Sequence, residues 1–186
     1  ACRRAGRSRS RQCAERRSSG RRLRRVEIDL DLGVVRVVQE QLPGAVGGQP
    51  AQFVATQLYL YRDGSRKDPQ MTPIASVLSN ADMNELASYF SRQLPAAPSH
   101  RTAAKNVAAG QRLAEQHHCV QCHGPALLGL QHIPRLAGQQ FAYLRSQLRG
   151  FKTSTRFDQD GQMSSAAQPL SDADIEVLAD YLAGLK

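Results

Sequence analysis

Cys119-Val120-Gln121-Cys122-His123 is the stretch on which the reading of this chain turns. Two thiols three residues apart lie about one helical turn from each other, and an imidazole follows the second directly. That spacing suits a single porphyrin, because the two thiols can add across its two vinyl groups while the histidine brings a ring nitrogen under the iron. C-x-x-C-H is the attachment sequence for c-type haem. Two other chemistries use part of it. A thioredoxin-like redox pair also has C-x-x-C, but it opens a helix after a strand, and no strand-helix alternation surrounds Cys119. A zinc site has His117, His118, Cys119 and Cys122 to draw on, although structural zinc sites take their ligands from two separated pairs.

A c-type haem bound through His123 leaves the opposite face of the iron to a second ligand, and two candidates lie downstream. Met163 stands 40 residues beyond His123 in the polar stretch Asp160-Gly161-Gln162-Met163-Ser164-Ser165. A lone methionine is usually core filler, but here no apolar helical stripe surrounds it, and Met/His is a known haem-iron ligand pair. His132 is the alternative, only nine residues past His123, from where the far face is hard to reach.

The sequence around the motif is helical. Residues 103 to about 117 are Ala- and Gln-rich, and Phe141, Leu144, Leu148 and Phe151 recur at three- and four-residue intervals on one helix face. A last helix starts at Ser171, with Asp174 three residues on and a stripe of Ile175, Leu178, Tyr181, Leu182 and Leu185. This reads as a small all-helical domain of about 80 residues, a size at which a bound cofactor often completes the core.

Self-comparison shows a second copy of part of it. At an offset of 90, Gly48-Gln49 falls on Gly138-Gln139, Phe53 on Tyr143, Gln57-Leu58 on Gln147-Leu148, Tyr61 on Phe151 and Arg66 on Arg156. After a two-residue gap Met71 falls on Met163, Leu78-Ser79 on Leu170-Ser171, Asp82 on Asp174, Leu86-Ala87 on Leu178-Ala179 and Tyr89 on Tyr181. Shared amphipathicity explains matching Leu and Ala positions, but not this ordered series of polar landmarks. Between the copies, Leu94-Pro-Ala-Ala-Pro-Ser-His100 carries two prolines that exclude a continuous helix and small residues that favour a solvated linker.

Charge divides the chain of 186 residues, of which 41% are hydrophobic, in the same way. The net charge of +9 lies in residues 1–25, where eleven arginines against Glu15 give +10; the remaining 161 residues come to −1. That tract holds no apolar run of the roughly 7–15 residues a secretory signal needs, and no run anywhere approaches the roughly 20 of a membrane span. Beyond it, Val26-Glu-Ile-Asp-Leu-Asp-Leu alternates like a strand.

Cys119 to Gly124, Ile133-Pro134-Arg135-Leu136-Ala137-Gly138-Gln139, Tyr143-Leu144, Gln147-Leu148, Phe151-Lys152, Met163 and Leu170-Ser171 together resemble the cytochrome c4 family, two-domain dihaem class I c-type cytochromes of the bacterial periplasm. The resemblance covers residues 47 to 186. It implies an all-α fold of tandem small helical class I cytochrome c domains, the first incomplete. It implies that the Pro134 carbonyl accepts a hydrogen bond from the second ring nitrogen of His123, and that the first and last helices of the domain cross with Tyr181 in their contact. It also implies a periplasmic electron carrier with a quinol-oxidising complex and a terminal oxidase as redox partners, with room for peripheral membrane association.

The chain departs from that family at its start. No C-x-x-C-H precedes Cys119, all five histidines follow the first repeat, and Met71 has no proximal histidine to oppose it. Residues 1–46 therefore read as an out-of-frame stretch of GC-rich coding sequence, or as a disordered basic arm whose clustered arginines would bind an anionic surface or, less in keeping with the rest, nucleic acid. The expected division is an Arg-rich segment at 1–46, the remnant of a first domain at 47–95, a linker at 96–102 and a complete domain at 103–186. The expected cofactor is one haem c and its iron per chain, or two if the N-terminus is misread. Cys119, Cys122 and Pro134 are the cofactor-binding residues, and His123 and Met163 the iron ligands. A haem-less first half is expected to pack loosely, with apolar faces that a haem would cover. Electron transfer without catalysis is the function these ligands suit; the alternative is a haem enzyme of peroxidase type, or a sensor, with a labile distal ligand.

Overall fold

The computed structural model describes residues 46–186, so the Arg-rich segment and the strand-like pattern at 26–32 lie outside the described residues. Within them the chain forms helices α1 (Ala51–Asp63), α2 (Met71–Ser76), α3 (Asn80–Ser91), α4 (Ala104–Gln116), α5 (Cys119–His123), α6 (Phe141–Lys152), α7 (Gln162–Ala167) and α8 (Asp172–Ala183). The described residues form no strand, only a single bridge between Leu130 and Ile133. The fold is all-α, as the periodicity requires.

The internal repeat has a structural counterpart, with α1, α2 and α3 corresponding to α6, α7 and α8. Both copies start their last helix with the same reciprocal cap. The Ser79 hydroxyl accepts from Asp82 N at 3.2 Å while Asp82 accepts from Ser79 N at 2.8 Å; Ser171 and Asp174 repeat the pair at 3.1 and 2.9 Å. Each cap satisfies two backbone donors that the first turn leaves unpaired. Both copies also use an aspartate before the short helix: Asp68 accepts from Met71 N at 2.9 Å, and Asp158 from Met163 N at 2.7 Å.

The first half is better packed than its missing haem motif suggested. Val54, Leu58, Tyr61, Met71, Leu86 and Phe90 close into one core, and Met71 is 1% exposed. A cavity of about 50 Å³ remains beside this core, lined also by Phe53, Gln57 and, from the other half, Tyr143. Met71 is core filler here, the ordinary role of a flexible thioether. In the second half α4 crosses α8 at Gly110, whose missing side chain lets Tyr181 lie directly against the α4 backbone. Two apolar clusters flank this crossing, one built from Ala114, Phe151, Ala167, Leu170, Ile175 and Leu178, the other from Leu127, Leu144, Ala179 and Leu182 with their neighbours.

Residues 94–103 carry no helix, as two prolines dictate, but their far end is not the solvated tether that small residues suggested. The His100 ring stacks on Phe141 at 5.2 Å, and its Nε2 lies 2.6 Å from Asp180. Asp180 also accepts from Ala103 N at 3.0 Å and Asn106 Nδ2 at 2.9 Å. Burial opposes ionisation of Asp180, yet the hydrogen bonds from His100, Asn106 and Ala103 outweigh it and hold the carboxyl below its ordinary value. A depressed folded pKa stabilises the fold above the unfolded value of about 3.9, and that stability is lost as pH falls through the folded value. Asp180→Ala is accordingly expected to cost about 2 kcal/mol at neutral pH. The gap between variant and parent melting temperatures should narrow in acid below about pH 4. An equal gap at pH 7 and pH 3 would contradict it.

Candidate haem-attachment site

The site is assembled on α5, a single turn whose start and end are both marked by unusual backbone. His118 at its N-cap is left-handed with φ 56°, and Gly124 leaves the helix at φ 81°. The chain then folds back over the turn: Gly129 N donates to His123 O at 2.9 Å, and Leu136 N and Ala137 N donate to Leu127 O at 2.8 and 3.1 Å. Gly129 sits where a Cβ would come within 2.5 Å of Arg135 N and 2.6 Å of Ile133 O, so only glycine lets the loop close. This closure brings Pro134 to His123.

His123 is 3% exposed, and its Nδ1 lies 2.8 Å from the Pro134 carbonyl oxygen. A carbonyl can only accept, so Nδ1 carries the proton and Nε2 keeps its lone pair. Burial pushes the imidazole pKa down, against the opposing pull of the Pro134 bond, and so favours this neutral ring. The ring is thus fixed in the tautomer and orientation that a metal-binding Nε2 requires.

Cys119 and Cys122 are free thiols, the first half-buried and the second exposed. Burial, with Cys122 adding to it, pushes the Cys119 thiol up, the opposite of the lowered pKa that a thioredoxin-like nucleophile needs. Among the described residues no three His, Cys, Asp or Glu side chains stand together as a metal cage would need, so His117, His118 and the two cysteines do not form a zinc site. Cys119 and Met163 both pack against the cluster of Phe151, Leu170, Ile175 and Leu178. Asp158 holds the start of α7 through Met163 N, Ser164 N at 3.2 Å and the Ser164 hydroxyl at 2.9 Å, which sets the position of Met163. His132 is exposed in the turn of the Leu130–Ile133 bridge. Two thiols a turn apart, a buried imidazole with a free Nε2 and a thioether bordering the same apolar cluster fit the chemistry of a c-type haem.

A second polar cluster joins the halves around a cleft of about 380 Å³ bordered by Tyr61, Arg66, Lys67, Gln147 and Arg156. Arg66 donates to Tyr143 OH at 3.1 Å and Gln147 Oε1 at 3.2 Å, and Arg156 reaches back to Gln57 Oε1 at 3.5 Å. Each guanidinium also covers an aromatic ring of its own copy, Arg66 over Tyr61 at 4.6 Å and Arg156 over Phe151 at 4.4 Å. Burial, and then the charge of Arg66, lower Arg156 to about 10. Burial raises Tyr61 to about 12 despite Arg66, whereas at Tyr143 the two arginines overcome burial and lower it. Sequence comparison aligned these arginines and glutamines as repeat landmarks; that they meet was not legible from it.

Small helices wrapped around a C-x-x-C-H turn, with the histidine locked by a backbone carbonyl, define a c-type cytochrome. The family model for cytochrome c matches residues 107–186. The chain is 31% identical over 150 residues to cytochrome c4 of Pseudomonas aeruginosa, covering 75% of this chain and 74% of that protein. It is 33% identical over 148 residues to a thiosulfate dehydrogenase electron acceptor of Thiomonas intermedia, covering 74% and 68%. Among solved structures, Acidithiobacillus ferrooxidans cytochrome c4 superposes with a TM-score of 0.69 at 30% identity, over 76% of this chain and 88% of the other. The chain belongs to the cytochrome c4 family, and it carries covalently bound haem c for electron transport.

Proposed function

We infer that this chain is a periplasmic electron carrier in which Cys119 and Cys122 form the thioether links, His123 Nε2 is the proximal iron ligand and Met163 the distal one. The observation that carries this reading is the Nδ1 bond from His123 to Pro134, because it leaves Nε2 as the only ring atom free to bind metal. Bound there, haem c supplies a one-electron Fe(III)/Fe(II) couple. A neutral thioether favours the reduced state, and the apolar cluster behind it works in the same direction. With His123 and Met163 both engaged, the iron would have no place left for a substrate, which suits a carrier and not an enzyme. The one C-x-x-C-H among these 186 residues provides for one haem.

Redox proteins are the partners such a carrier requires. A quinol-oxidising complex upstream and a terminal oxidase downstream fit the family. The relative from Thiomonas intermedia makes a thiosulfate dehydrogenase a further donor to consider. Carbon monoxide tests the closed iron. The reduced protein at neutral pH is expected to show no spectral change over minutes, while Met163→Ala binds the gas at once. Rapid binding by the unaltered protein would overturn the carrier in favour of a peroxidase-type enzyme or a sensor.

A further inference from the structure

We propose that Gln49, a residue of the half without a haem motif, tunes the haem of the other half by polarising the peptide that holds His123. Gln49 is 2% exposed although its side chain is an amide. Both ends of that amide are used on one residue 86 positions away: Oε1 accepts from Arg135 N at 2.8 Å, and Nε2 donates to Arg135 O at 3.0 Å. Arg135 N belongs to the same planar peptide unit as the Pro134 carbonyl that accepts from His123 Nδ1 at 2.8 Å. The result is one continuous chain of hydrogen bonds, running from Gln49 Oε1 through the 134–135 peptide to the imidazole.

Bonds in such a chain strengthen one another, because drawing on the N–H of a peptide makes its carbonyl a better acceptor. A better acceptor at Nδ1 pulls the ring proton away from the imidazole and makes Nε2 a stronger donor to a metal. A stronger nitrogen donor favours Fe(III), so Gln49 holds the reduction potential below the value that Pro134 alone would set. The remaining contacts make this a rigid brace. Gly48 N donates to Phe90 O at 2.9 Å, and Arg135 Nη2 donates to Gly47 O at 3.2 Å, fixing Gln49 between α3 and the loop over α5. Gln49 is a positioning residue, and it gives the first half a function without a haem of its own. The inference rests on His123 being an iron ligand.

The test uses the holoprotein with Gln49→Leu and Gln49→Glu. Leucine removes both bonds; glutamate keeps an oxygen on Arg135 N and makes it a stronger acceptor. At a fixed electrode potential Gln49→Leu is expected to raise the Fe(II)/Fe(III) ratio about three- to tenfold, less than the 10–100-fold effect of partners that touch a ligand directly. Gln49→Glu is expected to leave the ratio unchanged or lower it, and the His123 Nδ1–H resonance should move in opposite directions in the two variants. A merely structural role would disturb both variants alike. Well-folded Gln49→Leu with unaltered ratio and resonance overturns the proposal. If Gln49→Leu does not fold, Gln49→Glu decides, and a raised ratio there overturns it. Were His123 not a ligand, its Nδ1–H resonance in the unaltered protein would show no paramagnetic shift on oxidation. Failure of the Gln49 proposal would leave that shift in place, indifferent to position 49.

Discussion

Protein carrying Cys119→Ala and Cys122→Ala together is expected to lose all haem on extraction with acidified acetone, whereas the unaltered protein keeps its colour on the polypeptide. The two thiols are the only side chains of α5 able to form carbon–sulfur bonds, and they lie one turn apart on the same short helix. Without them only the proposed ligands His123 and Met163 would hold the haem, and acid would release it by protonating the imidazole. The single variants separate the two roles. Cys122 is exposed, so Cys122→Ala should retain one thioether and nearly the parent stability. Cys119 packs between both apolar clusters, so Cys119→Ala should also cost about 1 kcal/mol in lost packing. The measurements are a pyridine haemochrome spectrum before and after extraction and the intact mass. Haem that stays on the doubly substituted chain through extraction would sink the attachment assignment.

Gly110→Ala is expected to be the most damaging of the conservative substitutions in the helices. A Cβ at position 110 would lie 2.2 Å from Tyr181 Cβ and 2.6 Å from its Cγ, and neither atom can swing aside, because both sit at the root of the side chain on α8. The helices must part to admit it. Overpacking of this kind costs about 3 kcal/mol, offset by about 1 kcal/mol that alanine returns in helix propensity. The net loss of about 2 kcal/mol corresponds to a melting temperature lower by about 4–8 °C. The loss should fall on the second half, since Ala114, one turn further along α4, belongs to the cluster that Cys119 and Met163 border. Gly110→Ala melting at or above the parent temperature would mean that α4 and α8 do not cross here.

The motif residues announced themselves in the sequence because covalent attachment of a haem would impose a fixed local spacing, and Cys119, Cys122 and His123 share one turn. The helices were legible for a similar reason, since Ser79 and Asp82, or Ser171 and Asp174, close their caps within four residues, and the stripe of α8 is a property of helical period alone. Duplication was legible because the order of landmarks survives divergence. Gln49, Gly110 and Asp158 were not found as functional positions. Gln49 showed only as half of a repeated Gly-Gln doublet, and its partner Arg135 lies in the other copy. The family resemblance implied a crossing at Tyr181, but nothing in the sequence marked Gly110 as the position that admits it.

Met71 and Met163 show most directly where sequence stops. The repeat aligns them and an aspartate precedes each helix, yet Met71 is sealed in a closed core while Met163 borders the cluster shared with Cys119. Local chemistry determined the attachment turn, the helices and their caps, because each depends on residues within a few positions of one another. Only the tertiary structure decided which thioether is filler, which glycine admits a crossing, and which glutamine reaches across the halves to the peptide beside His123. Those outcomes depend on burial and on contacts between separate helices and loops, 71 positions apart for Gly110 and Tyr181 and 86 for Gln49 and Arg135, which no spacing along the chain records.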